Sequence, residues 1–317
     1  MWQLGEDDWI KYGWGENLSS TWSSGACLYI DLSNYSVSDL PVAECAKIAV
    51  ENIAKTYPGP YTLMCSGGQD SQAMISCWLQ ANVPFNIVSI RYVSEGIFFN
   101  EHDLKTLETF AKNQNLTVEY KDFDVINFLE NELDFYANEY DCSSPQICTH
   151  MKMTELIESG TVLFSGNYIP KPEINNGNIY VKVWDVNYTL FGMHRYSLKI
   201  STKIKTIIPF FLAHNSNLTF SFPSPDINAP NISINNKYHK SGFSIILPPK
   251  KYTGFEELKN YYDKYYHRVN TITRLTFAHK PSKRIFDLLF RYPYEKAGKW
   301  CKTHLHLQKF IFLRDKT

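Results

Sequence analysis

The 317-residue sequence contains no run of eighteen or more apolar residues. Its longest apolar stretch, Ile207 to Ala213, is interrupted by Pro209 and followed by His214 and Asn215, too short and too broken for a membrane-spanning helix. The acidic start, Met1 to Asp8, lacks the basic stretch and apolar core of a secretory signal. Seven cysteines, an odd number, do not make a disulfide framework in a chain of this length, and no Cys-x-x-Cys pair occurs. These absences lead to the expectation of a soluble, reduced, cytoplasmic protein with no membrane partner. No lysine occurs between Lys55 and Lys105, which excludes a Walker-type phosphate loop in that part of the chain.

Net charge is also absent, with 32 Lys and Arg against 32 Asp and Glu. The balance hides an asymmetry. Residues 1–190 carry 10 basic against 25 acidic side chains, which leaves 22 against 7 for residues 191–317. Two halves that attract each other, or a solvated basic face, account for this; so does a C-terminal half that collects a polyanion, either a triphosphate or a nucleic-acid backbone. A hydrophobic fraction of 44% and an aromatic fraction of 15% place the chain among globular proteins with a sizeable core.

The apolar pattern predicts an alternation of helices and short strands. Strand character occurs at Cys27–Leu32, inside an aromatic N-terminal segment of residues 1–41. Helical spacing runs from Val42 through Ala46, Ala49 and Ile53, and stops at Pro58-Gly59-Pro60. Buried strands are expected at Tyr61–Cys65, Phe85–Arg91, Leu116–Lys121 and Val162–Ser165. Between them, helices are expected after residue 71, over Glu101–Gln114, Asp124–Glu139 and Ser144–Glu158. This is the rhythm of an α/β fold, a doubly wound parallel sheet with helices on both faces, over residues 42–190. Beyond it, residues 191–317 are expected to form a basic, mainly helical substrate or cap region. Helices are expected there over Lys203–His214 and Phe255–Tyr266, around Ser282–Leu289 and near the C-terminus.

One loop carries the chemistry. Ser66-Gly67-Gly68-Gln69-Asp70-Ser71 follows a buried strand and opens a helix, at the strand edge where α/β sheets bind ligands. Two glycines let the backbone turn sharply and approach an anion with no side chain between. Their N–H groups and the first helical turn offer donors at the positive end of the helix dipole. The hydroxyls of Ser66 and Ser71 add further donors. Asp70 would be repelled by phosphate alone, so its presence points to Mg²⁺ between carboxylate and phosphates. An ordinary Gly-Gly turn with a polar helix cap is the bland alternative.

Ser-Gly-Gly-x-Asp-Ser resembles the PP-loop of the N-type ATP pyrophosphatases, which share an adenine-nucleotide alpha-hydrolase-like, Rossmann-like fold. The resemblance covers residues 42–100 and extends to about 170. It implies ATP with its pyrophosphate held by Ser66, Gly67, Gly68, Gln69, Asp70 and Ser71, with Mg²⁺ on Asp70. It further implies attack on the α-phosphate by a substrate oxygen, then displacement of AMP by a nucleophile. By position, Ser89 and Arg91 would border adenine, and Ser165-Gly166 would close the other side of the nucleotide. Ser144-Pro145-Gln146 and Phe164-Ser165-Gly166 look most like the synthetase domain of asparagine synthetases, and the whole chain is similar to bacteriophage PP-loop proteins. That branch implies amide formation on a small-molecule substrate. Arg291 and Lys299 are candidates to neutralise charge at the α-phosphate, as is Lys280.

The chain departs from that branch at two places. Residue 2 is Trp rather than a cysteine nucleophile, so no glutaminase domain is expected in the chain. The turn after the second Ser-Gly reads Asn167-Tyr168-Ile169-Pro170-Lys171, and Glu173 is its nearest following carboxylate. The basic C-terminal half, where Lys280, Lys283 and Arg284 are interleaved with Phe286 and Phe290, suits the RNA-modifying branch of the family as an alternative. Cys301-Lys302-Thr303-His304 faintly resembles the sulfonucleotide reductase branch, with its glycine missing. A nucleotide-binding module without turnover is the non-enzymatic alternative.

Overall fold

The computed structural model describes residues 10–14, 26–30, 42–140, 145–165, 172–175, 178–182, 196–197, 199–209, 243–246, 254–266 and 310–315. Two short N-terminal strands, β1 (Ile10–Trp14) and β2 (Ala26–Ile30), form an antiparallel pair. Helix α1 (Val42–Thr56) leads into β3 (Tyr61–Met64), then α2 (Gln69–Ala81) and β4 (Asn86–Ser94). A two-residue turn, Glu95-Gly96, joins β4 to the short antiparallel β5 (Ile97–Phe98). Both turn residues have positive φ, as a type I′ hairpin requires.

Helix α3 (Glu101–Asn113) returns the chain to β6 (Val118–Asp124). Helices α4 (Val125–Asn131), α5 (Leu133–Glu139) and α6 (Pro145–Thr154) precede β7 (Gly160–Phe164). Strands β8 (Pro172–Asn175) and β9 (Asn178–Lys182) pair with each other, and β10 (Lys205–Pro209) rejoins the main sheet. Helix α7 (Gly254–Tyr266) and β11 (Phe310–Asp315), which pairs antiparallel with β9, complete the described elements.

The parallel strands lie in the order β6-β4-β3-β7-β10. Starting from β3 at the centre, the chain moves outward on one side through β4 and β6. It then crosses back and moves outward on the other side through β7 and β10. The reversal falls between β3 and β7. Side-chain alternation along each strand splits the core in two. Leu63, Ile87, Leu163 and Ile208 stand in register across four strands on one face. They pack with Ala46, Ala49, Val50 and Ile53 of α1, Met74 and Trp78 of α2, and Leu107 and Phe110 of α3. Met64, Val88 and Phe164 face the other way, onto Phe128, Leu133, Tyr136, Cys148 and Met151 of α4, α5 and α6.

The alternation of helices and strands between 42 and 165 is as the sequence predicts, with two differences. β4 runs three residues past Arg91 and adds the β5 hairpin, which the polar Ser94-Glu95-Gly96 had masked as a strand end. The single helix expected over Asp124–Glu139 is two, broken at Glu132, with Asp124 capping the first through the Asn127 N–H. The helix expected over Lys203–His214 is a correction: Lys205–Pro209 is strand β10. Thr206, Ile207 and Ile208 are β-branched and pair with Thr161, Val162 and Leu163, so the edge of a parallel sheet outcompetes helical spacing. Near the C-terminus the described residues are a strand, Phe310–Asp315, whose aromatic and β-branched start suits a ladder with β9. The helix expected at Phe255–Tyr266 is present as α7, and Ser282–Leu289 lies outside the described residues.

Asn100 repairs the place where β4 and β5 diverge. Its side-chain amide donates to the Ile90 carbonyl at 2.8 Å and its oxygen accepts from the Tyr92 N–H at 2.8 Å, both buried. Asn100→Leu leaves two buried backbone groups without partners, each a loss of about 1–3 kcal/mol. Urea unfolding of that variant is expected to show a midpoint well below wild type with an unchanged slope. A midpoint within error of wild type would show that water replaces the amide.

Candidate active site at the carboxyl end of strand β3

The reversal falls between β3 and β7, and at the carboxyl ends of such a pair open α/β sheets form their ligand-binding crevice. Two loops border it: Ser66 to Gly68 after β3, and Ser165 after β7. They meet through a chain of hydroxyls. The Ser66 N–H donates to Ser71 Oγ at 3.2 Å, Ser66 Oγ lies 3.3 Å from Ser71 Oγ, and Ser71 Oγ lies 3.3 Å from Ser165 Oγ. Ser71 is buried while Ser66 is exposed, so the chain runs from the interior to the mouth of the crevice.

The two glycines are there for different reasons. Gly67 has φ +85°, and a Cβ on it would lie 2.4 Å from the Asp103 carbonyl oxygen and 3.1 Å from Leu107 Cβ. Backbone conformation and the close approach of α3 both require glycine there. Gly68 has φ −64° and ψ 165°, open to any residue, and a Cβ on it would meet only Ser66 Oγ at 3.5 Å. It is the N-cap of α2, a position where Ser, Thr, Asp or Asn would stabilise the helix, and no side-chain cap bond forms. The fold therefore does not call for glycine at 68. What glycine supplies is bare backbone at the positive end of a 13-residue helix.

Gln69 and Asp70 form the first turn of α2 and are half-buried. Gln72, one turn in, is fully buried and turns its amide back under the loop. Its Nε2 donates to the Gly67 carbonyl at 2.8 Å and to the Ile246 carbonyl at 3.0 Å, while its Oε1 accepts from the Ile246 N–H at 2.6 Å.

Ser89 and Arg91, whose backbone is expected beside a base, use their side chains within the sheet. Ser89 is buried and donates to the Cys65 carbonyl at 2.7 Å, tying β4 to the last residue before the loop. Arg91 pairs with Asp122 of the neighbouring β6 on the exposed edge of the sheet. Ser165 meets the loop through Ser71, and Gly166, Arg291, Lys299 and Lys280 lie outside the described residues. Cys65, next to the loop, is buried, and burial pushes its thiol far up. Among the described residues no cluster of His, Cys, Asp and Glu suits a metal ion by itself. No protein-family model and no curated protein matches this chain.

Two residues near the loop escaped the sequence reading. Gln72 could have been noticed as a polar residue inside an otherwise apolar helix stripe, Ala73, Met74, Cys77 and Trp78. Asp103 offered no signal, because its role depends on α7, far away in sequence. Its Oδ2 accepts from the Gly254 N–H at 3.2 Å, at the start of α7, and its own carbonyl presses on Gly67. Burial pushes its carboxyl up from 3.8 to about 6; the His102 ring and the Gly254 N–H pull it down, and Glu256 pushes it up.

Between these two values the folded protein holds more protons than the unfolded chain, so stability falls as pH rises through that window. Asp103→Asn keeps an acceptor for Gly254 and removes the titration. The urea midpoint of the variant is expected to rise relative to wild type at about pH 7 and to change least at about pH 4. An identical pH slope in both proteins would contradict the buried carboxyl. The glycines give a second test. Gly67→Ala is expected to cost about 2–4 kcal/mol, whereas Gly68→Ala costs no more than about 1 kcal/mol, read as shifts in thermal unfolding.

Proposed function

We propose that this protein is an ATP pyrophosphatase of the PP-loop type, which binds ATP in the β3–β7 crevice and cleaves it between the α- and β-phosphates. The observation that carries this reading is Gly68: a glycine at a helix N-cap that neither its dihedrals nor its neighbours demand. Bare backbone there suits an anion approaching the helix terminus. The Ser66–Ser71–Ser165 chain lies beside it, with hydroxyls able to turn toward phosphate oxygens.

Within this reading, Ser66, Gly67, Gly68, Gln69 and Ser71 hold the β- and γ-phosphates, and Ser165 borders the α-phosphate from the opposite loop. The donor set fits Mg²⁺ in one respect: Asp70, in the same first helical turn, supplies a hard carboxylate next to the phosphate cradle. Bound there, the ion would offset the negative charge of the pyrophosphate. The chain's own contribution is positioning and charge stabilisation of the leaving pyrophosphate, which strengthens as charge moves off the α-phosphate. The adenylated substrate that results would be taken by a nitrogen nucleophile, as in amide-forming synthetases.

Labelled pyrophosphate exchanging into ATP tests the activation step, with pools of amino acids, nucleosides and RNA supplied as acceptors. Exchange that requires an amino acid supports amide synthesis; exchange that requires RNA moves the protein to the RNA-modifying branch. Asp70→Ala is expected to lose Mg²⁺-dependent exchange by a factor of about a hundred or more while unfolding at the wild-type temperature. Gly68→Ala is expected to keep its fold and lose ATP affinity. ADP and phosphate as products, in place of AMP and pyrophosphate, would overturn the cleavage position.

A further inference from the structure

The Gln72 amide makes three hydrogen bonds, and all three go to backbone. Two of them engage both the N–H and the C=O of Ile246, as a neighbouring strand would. The third holds the Gly67 carbonyl. In a trans peptide, the C=O of one residue and the N–H of the next point in opposite directions. Fixing the Gly67 oxygen toward Gln72 therefore fixes the Gly68 N–H away from it, on the side of Ser66 Oγ and the crevice.

Residues 243–246 come to this spot from 174 positions away in sequence. They are held there by more than Gln72. Phe243 and Ile245 are buried in the core layer that also contains Cys65, Met74 and Leu163. Gln72 itself is fully buried while residues 243–246 are in place, so its amide is held by protein partners alone. With Ile246 in place, the amide's Oε1 is satisfied and its Nε2 is aimed at Gly67. Without Ile246, Oε1 and one Nε2 hydrogen turn to water, and the amide is no longer clamped between Ile246 and the Gly67 carbonyl.

We propose that Gln72 is a positioning residue that couples the loop's anion-binding peptide to the docking of residues 243–246. The Gly67–Gly68 peptide is set for a phosphate only while that segment is seated, and a phosphate in the loop in turn holds the segment down. The two events share one side chain, so each strengthens the other by the same factor. This role rests on the ATP reading above and adds to it a route by which residues 243–246 sense nucleotide.

Gln72→Met keeps the volume and removes all three bonds. By calorimetric titration the variant is expected to bind ATP with Mg²⁺ about tenfold more weakly, with AMP affinity unchanged, since AMP lacks the phosphates that the peptide holds. Equal losses for ATP and AMP would show a merely structural residue and overturn the role, as would no loss at all. A measurement on the wild-type chain stands whether or not the variant folds: hydrogen exchange at the Ile246 amide, with and without saturating inorganic pyrophosphate. Pyrophosphate is expected to slow that exchange several-fold. An Ile246 amide indifferent to bound pyrophosphate overturns the coupling and leaves the ATP reading intact. A wild-type chain that binds neither ATP nor pyrophosphate removes both.

Discussion

Helix α3 presses on Gly67 so closely that no side chain fits between them, and much of the site follows from that contact. The Asp103 carbonyl would stand 2.4 Å from a Cβ at Gly67, and Leu107 closes the same side. With one flank blocked, the loop after β3 turns through a positive φ and presents its next peptide to the crevice. The same residue of α3 receives the Gly254 N–H, so the pressure on the loop and the start of α7 are set together. Gly254 is tight as well, since a Cβ there would lie 2.7 Å from Asn100 Cβ and 2.9 Å from the Tyr92 ring. Asn100, in turn, pins β4 through Ile90 and Tyr92. Loop, α3, α7 and the end of β4 form one close-packed block.

The elements that carry this block were legible from the sequence, because the signals are local. Ala46, Ala49, Val50 and Ile53 announce one face of a helix, and Tyr61 to Cys65 announces a buried strand that ends at two glycines. The hexapeptide Ser66–Ser71 was legible for the same reason: its glycines and hydroxyls sit together in sequence as they do in space. Strand β10 was not. Thr206, Ile207 and Ile208 have spacing compatible with a helix, and their strand pairing is decided by β7, more than forty residues earlier. Gln72 and Asp103 were missed for a related reason. Each is a polar residue on a helix, and its meaning lies in Ile246 or Gly254, which no local pattern connects to it.

The contrast between Gly67 and Gly68 separates structure from function at adjacent positions. One glycine is demanded by dihedral angle and packing; the other is demanded by neither. A helix that forgoes a stabilising cap loses on the order of 1 kcal/mol, and such a loss at a strand-order reversal is readily understood if the uncapped terminus meets a ligand.

A crystal structure with Mg²⁺ and an ATP analogue whose α–β bridge resists cleavage tests the central claim most directly. The account predicts the triphosphate between β3 and β7, with β- or γ-phosphate oxygens within hydrogen-bond distance of the Gly68 N–H and the Ser71 hydroxyl. A nucleotide bound elsewhere on the sheet, or a loop that keeps its hydroxyl chain closed with the phosphates outside it, would contradict it.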